Sequence, residues 1–264
     1  MPRKSRKDIL SNFLHIMVQG LKKEYIFNKD EEIKKYFKFL LESTKEFNVK
    51  IVAYCIMNNH VHLLVFAEDK TEVSKFMKNT NTKYGIYYNK SHNRCGYVFR
   101  NRYKVQEIYT KAQLLSCINY IHNNPVKAGM CNNKWDYMYS SYNDYLLQKR
   151  FINEELIKEC FINHGISFES ILKEHHESYK FIEEKCDDTI KIKVIKEFLQ
   201  KENLNFKELK NNKFLLRKLI LELYINYNCT QKEIGECLQI NKIKVNRIIK
   251  NEILGHSKNF IKRE

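Results

Sequence analysis

Apolar residues recur with two different periods along the first 130 positions of the chain, and the switch between them lays out its elements. Residues 13–19 (Phe-Leu-His-Ile-Met-Val-Gln) form a mostly apolar run of strand length. Residues 30–46 instead carry Ile33, Tyr36, Phe37, Phe39, Leu40 and Leu41, a broad apolar face at helical spacing. Residues 49–57 and 60–66 are two further strand runs, joined by the polar pair Asn58-Asn59 as a short turn. Residues 71–88 read as a second helix and residues 97–108 as one long strand. Thr110 is placed to cap a helix over 111–124, where Leu114, Leu115, Ile118 and Ile121 recur at helical spacing. Pro125 should end that helix, because proline disfavours helical geometry in the residue before it. The order β-α-β-β-α-β-α fits an α+β fold, a ferredoxin-like antiparallel sheet with helices on one face and one added helix.

Beyond position 150 the strand periods disappear. Residues 151–190 read as an acidic helical connector and residues 191–264 as an all-α C-terminal region, so the chain divides at 1–150, 151–190 and 191–264. Charge sharpens this division. Lys and Arg (47) exceed Asp and Glu (31), a formal net charge of +16. Residues 1–150 hold 26 basic and 13 acidic side chains, residues 151–190 hold 4 and 10, and residues 191–264 hold 17 and 8. Two basic blocks around an acidic one point to two polyanion-binding modules. Only seven Gly and two Pro argue against long disordered linkers.

Composition also excludes some classes. The eight cysteines include no C-x-x-C pair and mostly sit among apolar neighbours, as reduced core cysteines do. Cys160 and His164 have the spacing of zinc ligands but lack a second pair, and His175-His176 reads as a solvated surface pair. The basic start, Met1 to Lys7, is not followed by a long apolar run, and no stretch approaches the roughly 18 apolar residues of a membrane helix. A cytoplasmic protein with no membrane partner is expected. No G-x-x-x-x-G-K-[ST] loop is present, so nucleotide hydrolysis has no visible seat.

The chemistry-bearing residues lie in two places. His60 and His62 flank Val61 at the start of the run 60–66, so on a strand both imidazoles share one face and make half of a divalent-metal site. Sixty residues on, Tyr120 and Asn124 are four apart on one helical face, a phenol able to act as nucleophile and an amide oxygen suited to a hard cation.

Four ordered motifs give these residues a context: Met57-Asn58-Asn59-His60-Val61-His62-Leu63-Leu64-Val65, Gly96-Tyr97-Val98-Phe99-Arg100-Asn101-Arg102-Tyr103, Tyr120-Ile121-His122-Asn123-Asn124-Pro125-Val126-Lys127-Ala128-Gly129, and Ser140-Ser141-Tyr142. Through them the first 150 residues resemble the single-tyrosine HUH transposases, especially the REP-associated tyrosine transposases. Asn58 stands where that family often has proline, and Tyr139 where it often has tryptophan. The resemblance implies the HUH nuclease fold, with the added helix laid near the His-bearing strand. It implies a DNA transposase in which His60, His62 and Asn124 hold Mg²⁺ or Mn²⁺. Tyr120 would attack a DNA phosphate to give a 5′-phosphotyrosine and a free 3′-hydroxyl.

Tyrosine is a weak nucleophile near neutral pH because its phenol ionises near pKa ~10, which is the reason such a site needs a cation. The expected partner is single-stranded DNA carrying a hairpin, and a homodimer is compatible with the reading. Tyr84, Tyr87, Tyr88, Tyr97, Phe99 and Tyr103 interleave with Lys83, Lys90, Arg94, Arg100, Arg102 and Lys104, a mixture that suits base stacking along a charged groove, although core packing is the commoner role for most such aromatics. Arg102, Arg100, Lys104 and Lys127 are the DNA-contact candidates of this block.

In the tail, residues 230–250 resemble a helix-turn-helix. Ile234, Leu238, Ile240, Val245 and Ile248 occupy packing positions, and Gly235 stands where a small residue lets the helices approach. Gln239 replaces the glycine usual at the turn. The second helix would present Lys242, Lys244, Asn246 and Arg247 to a groove. Two other readings compete: a relaxase or replication initiator with the same His-x-His chemistry, and a non-catalytic DNA-binding regulator using only the tail.

Overall fold

The computed structural model describes residues 9–147, 151–173, 179–182 and 187–257, which includes neither His175 nor His176. The chain forms two compact units, Met1–His175 and His176–Glu264. Residues 151–173, assigned above to the connector, pack within the first unit: Asn153 N–H donates to the Ile51 carbonyl at 2.8 Å, and the Phe151 ring meets Phe37 with centroids 5.0 Å apart.

The first unit is built on β1 (Phe13–Gln19), β2 (Lys50–Ile56), β3 (His60–Phe66) and β4 (Lys104–Ile108). They lie in the order β2-β3-β1-β4, every pair antiparallel. This is the ferredoxin-like order, with the two central strands largely buried on both faces. Helices α1 (Asp30–Glu46) and α2 (Lys70–Ser91) connect the strands and pack on one face, where Phe37 meets Tyr54. Their joint is polar but satisfied, with Thr80 Oγ1 donating to Ser43 Oγ at 2.9 Å. Beneath them Phe27, Tyr36, Tyr84 and Phe99 form one aromatic cluster with centroids 5.0–6.4 Å apart. Tyr84 and Tyr88 of the interleaved series are therefore core residues, whereas Tyr97 is 85% exposed.

The added helix, α3 (Lys111–Lys127), lies on the opposite face, the one shared by His15, Met17, His60 and His62. Thr110 caps it as expected, its Oγ1 accepting from Gln113 N–H at 3.0 Å. Its end is not where Pro125 would put it. The helix continues through Pro125, and Gly129, at φ +67°, turns the chain out. Pro125 removes only its own N–H. Ala128 N–H still bonds the Asn124 carbonyl at 3.0 Å, and the buried proline ring is held by packing that outweighs local preference.

The long strand expected over 97–108 is likewise shorter, because Val98 and Arg100 bond around the corner at Gly20. Leu21 N–H donates to Val98 O at 2.8 Å and Arg100 N–H to Gln19 O at 2.9 Å, and the ladder proper starts only at Lys104.

The open edge at β2 is covered by the chain that follows α3. Ile56 N–H donates to Tyr139 O and Ser141 N–H to Tyr54 O, both at 2.9 Å. The carbonyl of Val52, at a bulge in β2, accepts from Tyr145 Oη at 2.9 Å. Unpaired strand groups are thus satisfied by the Ser-Ser-Tyr segment and by α4 (Tyr142–Leu147). Short helices α5 (Glu154–Cys160) and α6 (Phe168–Leu172) complete this unit.

The second unit is helical: α7 (Asp188–Lys201), α8 (Phe206–Asn211), α9 (Lys213–Ile225), α10 (Gln231–Leu238) and α11 (Lys242–Ser257). Val194, Phe198, Leu216, Leu219, Ile220, Leu223, Ile234, Leu238, Val245 and Ile249 form its core. Thr230 and Glu233 cap α10 reciprocally. Gln239 itself adopts the left-handed turn conformation, at φ +51°, without a glycine. Gly235 is required by contact: a Cβ there would stand 2.9 Å from the Ile240 carbonyl oxygen. No helix among the described residues is long and apolar enough to cross a membrane.

Candidate active site

Strand β3 delivers the two histidines as the alternation predicts. His60 and His62 point to one face with ring centroids 4.9 Å apart. Helix α3 lays Tyr120 against them, its ring edge-on to His62 at 5.7 Å. The register of β1 adds a third imidazole that the sequence reading did not single out. His15, fully buried, sits edge-on to Tyr120 at 5.6 Å, and its Nε2 lies 3.0 Å from Nδ1 of His62. The available signal was a polar residue at an inward position of a strand that otherwise shows Phe13 and Met17 on that face. Burial, and next the neighbouring His62, hold the His15 pKa well below its ordinary value, so the ring is neutral.

Both candidate ligands use Nδ1 inside the protein. His60 Nδ1 bonds Asn59 Oδ1, and His62 Nδ1 bonds His15. With Nδ1 so engaged, Nε2 is the nitrogen placed to ligate a metal. Asn124 lies one helical turn beyond Tyr120, 7% exposed, and its Nδ2 has no hydrogen-bond partner among the described residues. An unsatisfied buried amide on the helix that carries Tyr120 suits a ligand, since a flip of the amide exchanges Nδ2 for Oδ1. Among the described residues no three His, Cys, Asp or Glu side chains are grouped to hold a metal. A donor set of the two imidazoles and the Asn124 amide would fit a hard or borderline divalent ion, leaving positions for phosphate and water.

Tyr120 is 7% exposed, and the Nζ of Lys127 lies 5.0 Å from its ring centroid. Lys127, placed above among DNA contacts, thus brings positive charge to the tyrosine itself. Arg100, Arg102 and Lys104 are exposed on and before β4. Lys104 is paired with Met17 of β1, on the same sheet face as His62.

Two further motif residues, His122 and Ser141, tie elements together. His122, fully buried, points Nε2 at Ser141 Oγ, 2.8 Å away, and Ser141 Oγ accepts from Tyr54 N–H at 2.9 Å. Burial, with Lys134 nearby, lowers the His122 pKa to about 3, so it is a neutral clamp between α3 and β2. Cys160 is buried with its thiol pKa pushed up to about 11 by burial, and among the described residues it belongs to no metal-ligand group.

In the second unit Lys242, Lys244 and Arg247 are exposed on the first turns of α11. Asn246 is half-buried, its Oδ1 accepting from Gln231 Nε2 at 3.2 Å.

Comparison with known proteins finds similarity within the first unit. No curated protein matches the chain. A solved structure of a REP-associated tyrosine transposase bound to a REP hairpin matches at 14% identity, over 56% of this chain and 86% of that one, with a TM-score of 0.48. Residues 10–124, from the start of β1 through Tyr120 and Asn124, match the family model described as "Transposase IS200 like". Over these residues, which hold the whole sheet and the histidine–tyrosine cluster, the chain is similar to the IS200-like transposases.

Proposed function

We propose that this chain is a DNA transposase that cuts and rejoins a single strand through a covalent bond between Tyr120 and a DNA 5′-phosphate. The observation that carries this reading is the setting of Tyr120, with His62 and His15 against its ring and Lys127 5.0 Å from it. A positive charge at that distance favours both a developing phenolate and an incoming phosphate. In the cutting step the Tyr120 Oη–phosphorus bond forms as the bond from phosphorus to the 3′-oxygen breaks. The phenol loses its proton and a 3′-hydroxyl is released. Attack by another 3′-hydroxyl reverses the exchange, so one phosphodiester replaces another and no nucleotide need be hydrolysed. A divalent cation held by His60, His62 and Asn124 would polarise the scissile phosphate when bound.

The substrate we propose is single-stranded DNA carrying a hairpin. A phosphate must reach a nearly buried ring, which an unpaired strand does more easily than a relaxed duplex. Arg100, Arg102 and Lys104, with the exposed Tyr97, would follow that strand by charge and stacking. The second unit would read DNA as a helix-turn-helix, with Lys242, Lys244, Asn246 and Arg247 on the entering helix. The capped α10, the contact at Gly235 and the exposed basic turn of α11 support this. It would hold the first unit near its target and add no chemistry.

The deciding experiment incubates the full chain with hairpin-bearing single-stranded DNA and resolves products on a denaturing gel. Wild type should give a covalent protein–DNA adduct, and Tyr120→Phe should give none while still binding DNA. An adduct of undiminished yield from Tyr120→Phe sinks the assignment.

A further inference from the structure

We propose that a pocket beside the His60 turn takes one unpaired base of the DNA strand, a base bearing an exocyclic amine, by stacking on Tyr25. The inference rests on the reading that the chain binds single-stranded DNA. It adds a grip on the strand outside the histidine–tyrosine cluster.

The pocket opens to solvent, has a volume of about 570 Å³ and is lined by Lys23, Glu24, Tyr25, Asn28 and Tyr88. Tyr25 is 59% exposed, a large ring left at the surface of the pocket, whereas Tyr88 of α2 is buried. Two tyrosines with a cation suit a nucleotide, because every base has a face that stacks on a ring and Lys23 supplies charge for the phosphate. The wall also selects by hydrogen bonding. A carboxylate only accepts, so Glu24 suits the amine carried by adenine, cytosine and guanine and absent from thymine. The Glu24 charge is balanced by Arg94, which donates from Nη1 to Oε2 at 3.0 Å, so this acceptor does not repel the strand.

The backbone ties the pocket to the candidate active site. Gly20 N–H donates to the Asn59 carbonyl at 2.8 Å and Phe27 N–H to the Asn58 carbonyl at 2.9 Å. The segment 20–28 is thus bonded to the two residues before His60. Its turn is tight, since a Cβ on Gly20 would collide with the Glu24 carbonyl oxygen. Lys22 and Lys23 both hold left-handed backbone, at φ +53° and +65°, although neither is glycine. Such conformations persist where the surroundings enforce them, so Lys23, Glu24 and Tyr25 are presented by a turn that is held in place.

The test uses the full chain carrying Tyr120→Phe, so that binding is read without cleavage, and a labelled single strand with a hairpin. Each unpaired nucleotide is replaced in turn by an abasic residue, and affinity is measured by fluorescence anisotropy. One position should lose about five- to hundredfold. Adding Tyr25→Ala should weaken the intact strand by a similar factor and remove the abasic loss at that position alone. Tyr25→Phe, which keeps the ring, should retain it. At the same position thymine should bind more weakly than the other three bases. Glu24→Gln, whose amide can also donate to a thymine carbonyl, should narrow that gap. Abasic losses that are the same with and without Tyr25→Ala at every position overturn the proposal, as does thymine bound as tightly as the rest. A chain that binds no single strand overturns the DNA reading and this proposal together. Adduct formation by the chain with Tyr120 intact tells the cases apart, because it shows the DNA reading standing when the pocket alone has failed.

Discussion

His15 Nε2 lies 3.0 Å from His62 Nδ1, two buried rings 47 positions apart in the chain joined across neighbouring strands. Tyr120 meets both rings edge-on at 5.6 and 5.7 Å. The tyrosine is therefore seated on a layer of imidazoles contributed by two strands.

That layer makes metal dependence testable ligand by ligand. His60→Ala and His62→Ala should each abolish adduct formation, and EDTA should do the same to wild type. Asn124→Ala should lose less, because water can replace one amide among several ligands. Adduct formation measured against Mn²⁺ concentration checks this. Full activity in EDTA sinks the metal assignment.

Ser141 should matter to stability and little to chemistry. Its hydroxyl accepts from Tyr54 N–H and meets His122 Nε2, all buried. Ser141→Ala leaves a buried N–H and a buried imidazole nitrogen unsatisfied, which should cost about 1–3 kcal/mol. Urea unfolding reads the loss. Adduct yield per folded molecule should stay within a few-fold of wild type, and a variant as stable as wild type would show that the clamp is not structural.

Lys244 and Arg247 offer a test of the tail that keeps the chain intact. Both are exposed, so replacing both by Ala should leave folding unchanged. If α11 enters a groove, affinity for duplex-containing DNA should fall and the slope of log affinity against log salt should shrink by about 1–2. Adduct formation on a short hairpin should remain measurable. Identical salt slopes for the two proteins would leave α10 and α11 as a helical hairpin with a solvated basic face.

Thiol reactivity probes the two sides of the first unit. Burial pushes the Cys55 and Cys117 thiols well above their ordinary pKa, whereas Cys95 is exposed. The thiolate is the reactive form, so iodoacetamide near neutral pH should label Cys95 readily and spare Cys55 and Cys117 until the protein unfolds. Mass spectrometry of peptides over time reads the order. Early modification of Cys117 would mean that α3 does not pack on the sheet as described.

Much of the fold was legible in the chain because periods 2 and 3.6 are local properties. Strands 13–19 and 60–66 and the helix at 30–46 end where the pattern ends. The alternation alone puts His60 and His62 on one face, and helical spacing alone puts Tyr120 and Asn124 within one turn. What went astray depended on partners distant in sequence. Pro125 does not stop α3, because packing of its buried ring holds the last turn. The run 97–108 does not form one strand, because its first half bonds around Gly20.

The same limit governs the site. Sequence alone determined which residue types recur at which spacing, and so supplied the His-x-His pair, the tyrosine and the basic tail. Only tertiary structure decided that β3 and β1 are neighbours in a register that sets His15 diagonal to His62. It also decided that α3 crosses that face with Tyr120 inward and Lys127 beside it. Spacing acts within a few residues, whereas strand order and helix placement are set by which apolar faces can be buried together across the whole unit.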